Sequence, residues 1–288
     1  MNDHVCIRIA AVDRILDHRG FLSENYIAIT GSVARGDASP DSDVELNVWV
    51  PSISDTWNSK SSWLRSQLLS LTTDDQFENL YVDSTPIEDG SIWASFRFMG
   101  IWFEVGYQTI ANQDKLITNV VSGETCAHDI LVGVEALVNS LVLRDDGKIA
   151  RWKALLHIYP EDLQRRLIAD VFDNIAFPPR LIVGGDTTDV YLFYDYLIKD
   201  IHNLFRLQFA AECIWEPNWK RLASRYPKLD GLSNFLDEIH PDRISCAAVE
   251  NVRKVVYRRI LEIAVTLPFS IRNIDVEQRL LDFLYKPQ

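Results

Sequence analysis

At 288 residues, with 47% hydrophobic and 24% charged side chains, the chain can form one large domain or two ordinary ones around a real core. Its 41 acidic side chains outnumber 29 basic ones, and the formal net charge of -12 repels phosphate backbones unless basic residues are concentrated locally. Nucleic acid is therefore a poor default partner and a cationic small molecule a better one, although the same charge also serves plain solubility.

Helical spacing of Val5, Ile9, Val12, Ile15 and Leu16 predicts a first helix over about 5–18, with Gly20 where it would stop. Tyr26–Thr30 is a short β-branched run and reads as a strand. A turn rich in glycine and serine follows, then Val44–Val50, whose alternation predicts a second strand. Asp55 is placed to cap a helix with Trp57, Leu64, Leu68 and Leu71 on one side. Asn79–Asp83 is strand-like, and residues 92–98 and 101–107 predict two strands joined at Met99–Gly100. From about Ala111 the character changes. Segments 126–142, 148–157, 160–176, 187–213, 217–226 and 241–267 repeat apolar residues every three to four positions. The expected fold class is thus α+β: a mixed α/β domain over 1–120, then an all-helical domain over 121–288. No internal repeat or low-complexity segment interrupts this plan.

Cys6, Cys126, Cys213 and Cys246 are scattered without a CxxC pair, which fits thiols in a reducing compartment. The six histidines show no HExxH spacing. Residues 1–19 lack a signal-peptide core, no apolar run is long enough to span a bilayer, and cytoplasm is the expected location.

The chemistry is concentrated in Gly31-Ser-Val-Ala-Arg-Gly36 and the following Asp37-Ala-Ser-Pro-Asp-Ser-Asp43-Val-Glu45. The two glycines allow a sharp bend that brings backbone N–H groups close to a polyphosphate. Ser32 can donate its hydroxyl to a phosphate oxygen, and Arg35 either touches phosphate or pairs with Asp37 or Asp41. Asp43 and Glu45 lie two apart at a strand start, so both side chains leave one face. Adjacent carboxylates repel unless a cation lies between them, and oxygen-only ligation suits Mg2+, with Mn2+ as a substitute. The plain alternative is a polar hairpin in an unrelated fold.

Gly31-Ser32, Arg35-Gly36 and Ser42-Asp43-Val44-Glu45, set between two strands, resemble the signature of the nucleotidyltransferase superfamily that includes DNA polymerase beta. The resemblance covers residues 26–50 closely and 1–110 more loosely. It implies a third acidic residue on a later strand, for which Glu104 is the best candidate and Asp83 the rival. It also implies two magnesium ions held by Asp43, Glu45 and Glu104, which would clamp the attacking and leaving oxygens of an in-line displacement. Glu104 would be ligand, general base or both, and Gly31, Ser32, Arg35 and Ser42 would meet the nucleotide.

The plan of a catalytic domain followed by a helical one is similar to the aminoglycoside and lincosamide nucleotidyltransferases. That likeness implies that Asn203 and Lys220 contact the nucleotide phosphates, with Lys220 neutralising the leaving pyrophosphate. The expected reaction transfers a nucleoside monophosphate, AMP from ATP in the favoured case, to a hydroxyl of a small cationic acceptor. Transfer to tRNA or protein is the alternative, and a catalytically silent nucleotide-binding module is a second one. Trp215 and Trp219 read as core anchors or as ring-stacking residues. Glu135 and Asp129 read as solvated, or as contacts for a cationic acceptor. Arg253-Lys-Val-Val-Tyr-Arg-Arg259 is the nearest thing to a basic face and reads as a solvated helix side. Neither acceptor identity nor oligomeric state is written in these residues.

Overall fold

Alternation in the two central strands decides where the core lies. Val44, Leu46, Val48 and Val50 of β2 (Val44–Val50) are all buried, as are Phe103, Val105 and Tyr107 of β5 (Ile101–Thr109). A computed structural model describes residues 2–17, 26–51, 77–82, 91–175, 187–221 and 246–285. The helix predicted from Asp55 and the rival carboxylate Asp83 lie outside them.

Two compact units are present: Met1–Val121 with Gly133–Ile158, and Ser122–Val132 with Tyr159–Gln288. The first holds β1 (Tyr26–Thr30), β2, β3 (Phe77–Val82), β4 (Ile92–Phe98), β5 and β6 (Leu141–Arg144) in one mixed sheet ordered β3-β4-β5-β2-β1-β6. β2 and β5 run parallel; the other described pairings are antiparallel. The α+β class read from the sequence is what the chain adopts. Helix α1 (Asp3–Asp17) contributes Val5, Val12 and Ile15 to the core on one face of the sheet. Burial of such side chains contributes roughly 1.5–3 kcal/mol each.

β4 and β5 meet in a two-residue hairpin in which Phe98 pairs with Ile101, and Met99 and Gly100 both take positive φ (52° and 77°). That turn matches the right-handed twist of the strands. Among the described residues, the other face of the sheet is covered at one end by two helices. There α3 (Ile110–Val121) and α5 (Lys148–Leu156) bring Gln113 and Trp152 onto Trp49. The Trp49 indole donates to Gln113 Oε1 at 3.0 Å and its ring centroid lies 5.4 Å from that of Trp152. Asp145 caps α5, accepting the backbone N–H groups of Ile149 and Ala150 at 2.9 Å each.

Two sequence expectations change here. The predicted helix over 126–142 is α4 (His128–Val138) followed by strand β6, and β6 pairs with β1. The α/β unit therefore draws on residues beyond 120. The bend at 31–36 is a short helix, α2 (Gly31–Arg35), ending at Gly36.

Every described element of the second unit beyond residue 158 is helical: α6 (Glu161–Asp173), α7 (Thr187–Ala211), α8 (Cys246–Thr266), α9 (Ile274–Tyr285) and two short 3-10 turns. Arg206 on α7 joins Asp170 (2.8 Å), Glu216 (3.2 Å) and the carbonyl of Cys126. Glu216 is fully buried and also bonds His128 Nδ1 at 2.8 Å. Arg253 is not on a solvated helix face as its sequence context implies. It is buried on α8 and bonds Asp200 Oδ2 at 2.8 Å. Burial pushes the Asp200 carboxyl up to about 6, and the facing guanidinium opposes that rise.

Removing Arg253 tests this pair. Arg253→Met should cost about 3–5 kcal/mol at neutral pH, because an uncompensated buried carboxylate is left behind. The Asp200 carboxyl titrates above its ordinary value of 3.8 in the folded chain, so the folded state holds the extra proton between that value and about 6. Stability from this group is then present below 3.8 and lost as pH rises through the folded value. Urea melts at pH 4 and pH 7 should show the smaller deficit at pH 4.

Candidate functional site

The parallel register of β2 against β5 sets Glu45 opposite Glu104 and Asn47 opposite Gly106. Register partners on neighbouring strands project to the same side, with backbones about 4.8 Å apart. That side is opposite the core, where Glu45 is half-buried and Glu104 exposed. Asp43 is also half-buried, and it lies just before β2, two residues ahead of Glu45. Thr30 closes the row from β1. It pairs with Glu45 in register, takes a hydrogen bond from Asn47 Nδ2 at 2.9 Å and reaches Glu45 Oε2 at 3.4 Å.

Gly31 shapes this corner. Its φ is 66°, a left-handed conformation, and a Cβ there would lie 2.6–2.7 Å from the Glu45 carboxyl atoms. A side chain there would have to push the Glu45 carboxylate aside. Ser32 is buried, and its carbonyl accepts the N–H of Asp37 at 3.0 Å. The loop that carries Asp43 is tied down by a residue the sequence reading did not single out. Arg8 on α1 is buried and donates from Nε to the carbonyl of Ser42 (2.8 Å), from Nη2 to Pro40 (2.7 Å) and from Nη1 to His4 (3.0 Å). Asn2 adds a bond to the carbonyl of Ala38 at 2.8 Å.

Gly31, Ser32, Asp43, Glu45 and Glu104 thus belong to one edge of one unit. Ser42 and Arg35 are adjacent but engaged. The Ser42 hydroxyl accepts the N–H of Ser39 at 2.8 Å and closes the turn, and Arg35 Nε approaches Asp37 at 3.5 Å. Asn203 and Lys220 are in the second unit. Buried Asn203 donates to the carbonyl of Asn174 at 3.2 Å; Lys220 is exposed on a 3-10 turn, Trp219–Arg221. Trp219 is an internal anchor, stacked between His128 (centroids 3.9 Å apart) and His202 (4.4 Å), so neither ring face is open to a base. Trp215 packs on Tyr159 at 4.8 Å. Glu135 is buried and accepts from Asn139 Nδ2 at 3.0 Å, which corrects the solvated reading, while Asp129 is exposed as expected.

The donor set suits a hard divalent cation in kind: carboxylate oxygens on adjoining strands, with a glycine giving clearance. It is an open set. Among the described residues no three His, Cys, Asp or Glu side chains are grouped closely enough to enclose a metal ion.

Two substitutions test the corner. Gly31→Ala should cost about 1–2 kcal/mol through its left-handed backbone and should weaken Mn2+ binding by displacing the Glu45 carboxylate; thermal melts and calorimetry read the two effects. Arg8→Met leaves the part-buried carbonyls of Ser42, Pro40 and His4 without these donors and should cost about 1–3 kcal/mol. Arg8→Lys should recover part of that stability, and equal melting of Lys and Met variants would show that the guanidinium contacts are unimportant.

Searched against protein-family models and curated proteins, the sequence matches none.

Proposed function

We propose that the chain is a magnesium-dependent nucleotidyltransferase that moves a nucleoside monophosphate, AMP from ATP in the favoured case, onto a hydroxyl of a small cationic acceptor. The observation that carries this reading is the register that sets Glu45 beside Glu104, with Asp43 two residues ahead of Glu45 in sequence and Gly31 pressed against the Glu45 carboxylate.

Asp43 and Glu45, with Glu104 beside them, would hold Mg2+, two ions in the favoured arrangement. The bound metal supplies charge neutralisation on the triphosphate and lowers the pKa of the acceptor hydroxyl. The chain's own residues do the rest. Glu104 is the exposed member of the set and takes the acceptor proton as the new P–O bond forms at the α-phosphorus. The bond from that phosphorus to the bridging oxygen breaks, and pyrophosphate leaves with the electron pair. Arg8 holds the Pro40–Ser42 backbone, and so the approach to Asp43, while Gly31 leaves room for Glu45. An acidic surface with a net charge of -12 favours a cationic acceptor over a nucleic acid. Within 253–259, the nearest thing to a basic face, Arg253 is buried against Asp200, which leaves fewer cations there for a tRNA acceptor.

Incubation with each radiolabelled nucleoside triphosphate, Mg2+ and a panel of aminoglycosides, lincosamides, tRNA and protein tests the activity directly. Asp43→Asn should lower transfer by about a hundredfold or more while leaving the melting temperature unchanged or higher, since a crowded carboxylate pair is relieved. Wild-type turnover in that variant would remove the metal assignment.

A further inference from the structure

The second unit carries a cleft of about 380 Å³ between α6 and the start of α9. Buried Phe172 lines it from α6, and Ile271 lines it from the 3-10 turn Phe269–Ile271. Arg165, Ala169 and Asp173 follow one another at four-residue steps along α6, so they share a face, and all three border the cleft. The Arg165 side chain is 49% exposed and meets Asp162 (2.8 Å) and Glu161 (3.5 Å) of its own helix, surface pairs that exchange readily. Across the cleft Arg272 and Asp275 again supply one charge of each sign, and Arg272 also bonds Glu277 at 2.8 Å. Two apolar side chains stand in water at this place: Phe269 is 80% exposed and Ile274 is 49% exposed.

A phenyl ring held this far into water beside a cleft lined with apolar side chains marks a contact surface. The charge pattern narrows what it contacts. In a chain of net charge -12, the charged residues lining the cleft balance, Arg165 and Arg272 against Asp173 and Asp275. Neither a cation nor a polyanion gains from such a surface as a whole. A partner carrying the same pattern in the opposite direction does gain. The α6 row is positive at one end, small in the middle and negative at the other. Laid antiparallel on a second copy of itself, it sets the Arg165 of each copy against the Asp173 of the other. The two Ala169 residues then face each other with little bulk to hold the helices apart. A two-fold contact needs this self-complementarity. The same rotation brings the 269–275 side of one copy onto the same side of the other, so each Phe269 ring comes to the other copy's cleft. We propose that this face joins two copies of the chain in a two-fold dimer, α6 antiparallel to α6 about Ala169. The proposal is independent of the transferase reading.

Sedimentation equilibrium of the full chain, from low micromolar to several hundred micromolar protein, tests it. Wild type should dimerise as concentration rises, and less so at high salt, because the charge pairs lie at the surface. Arg165→Asp sets like charges against each other twice per dimer and should weaken association about tenfold or more; Asp173→Arg should do the same. The variant carrying both substitutions restores opposite signs and should recover most of the affinity, which a folding defect in either single variant would not allow. Phe269→Ser should weaken association about tenfold and leave the melting temperature of the monomer unchanged. A wild type that stays monomeric throughout the range overturns the proposal. So does a dimer that the single charge reversals or Phe269→Ser leave intact, or one whose loss in the single variants the double variant does not repair.

Discussion

The parallel pairing of β2 with β5 is the constraint on which the rest of this chain's chemistry depends. Strands close in sequence pair antiparallel here, as β1 with β2 and β4 with β5. β3 and β4, which come between β2 and β5 in sequence, lie on the outer side of β5. The result is that two acidic residues 59 positions apart in sequence, Glu45 and Glu104, become register partners. A slip of one residue would turn one of them into the core and the other out to solvent. The buried alternation of Val44, Leu46 and Val48 against Phe103, Val105 and Tyr107 forbids that slip. Hydrophobic burial on one face thus sets the electrostatics of the other.

Around this pair the fold uses small, local devices. Glycine at 31 leaves the Glu45 carboxylate room to lie against the backbone, and glycine at 106 lets an indole lie across a strand. A buried guanidinium on α1 replaces the hydrogen bonds that the 38–42 backbone would otherwise find in water. Each device works by what it removes or satisfies, and none contributes a reactive group.

β1 was legible because Tyr26–Thr30 is a β-branched run, although its burial is continuous, and β2 and β5 because apolar residues recur at every second position. The carboxylate pair was legible for the same reason. β6 was hidden because Leu131, Val134, Leu137 and Leu141 keep a three-to-four spacing straight through the end of α4 into the strand. Helix α2 was hidden because Gly31 and Ser32 are residues that turns favour. Helix α9 carried a readable signal, Asn273, whose side chain accepts the N–H of Val276 at 3.1 Å, ahead of a short amphipathic run. Arg8 carried none: its partners lie 32 and 34 residues downstream, and an arginine on a helix reads as solvated until those partners are known. The same is true of Arg253, whose partner Asp200 is 53 residues away.

The recruitment of β6 carries a consequence for how this chain can be divided. Residues 122–132 are grouped with the helices, whereas 133–158 return to the sheet, so the polypeptide passes between the two units three times. A fragment ended at residue 120 would strip β1 of its neighbour and bare a row of backbone donors and acceptors on Ile27–Ile29, an open template for sticking to other chains. Neither half is a free-standing cassette, and any rearrangement that shuffles them must carry the strand along.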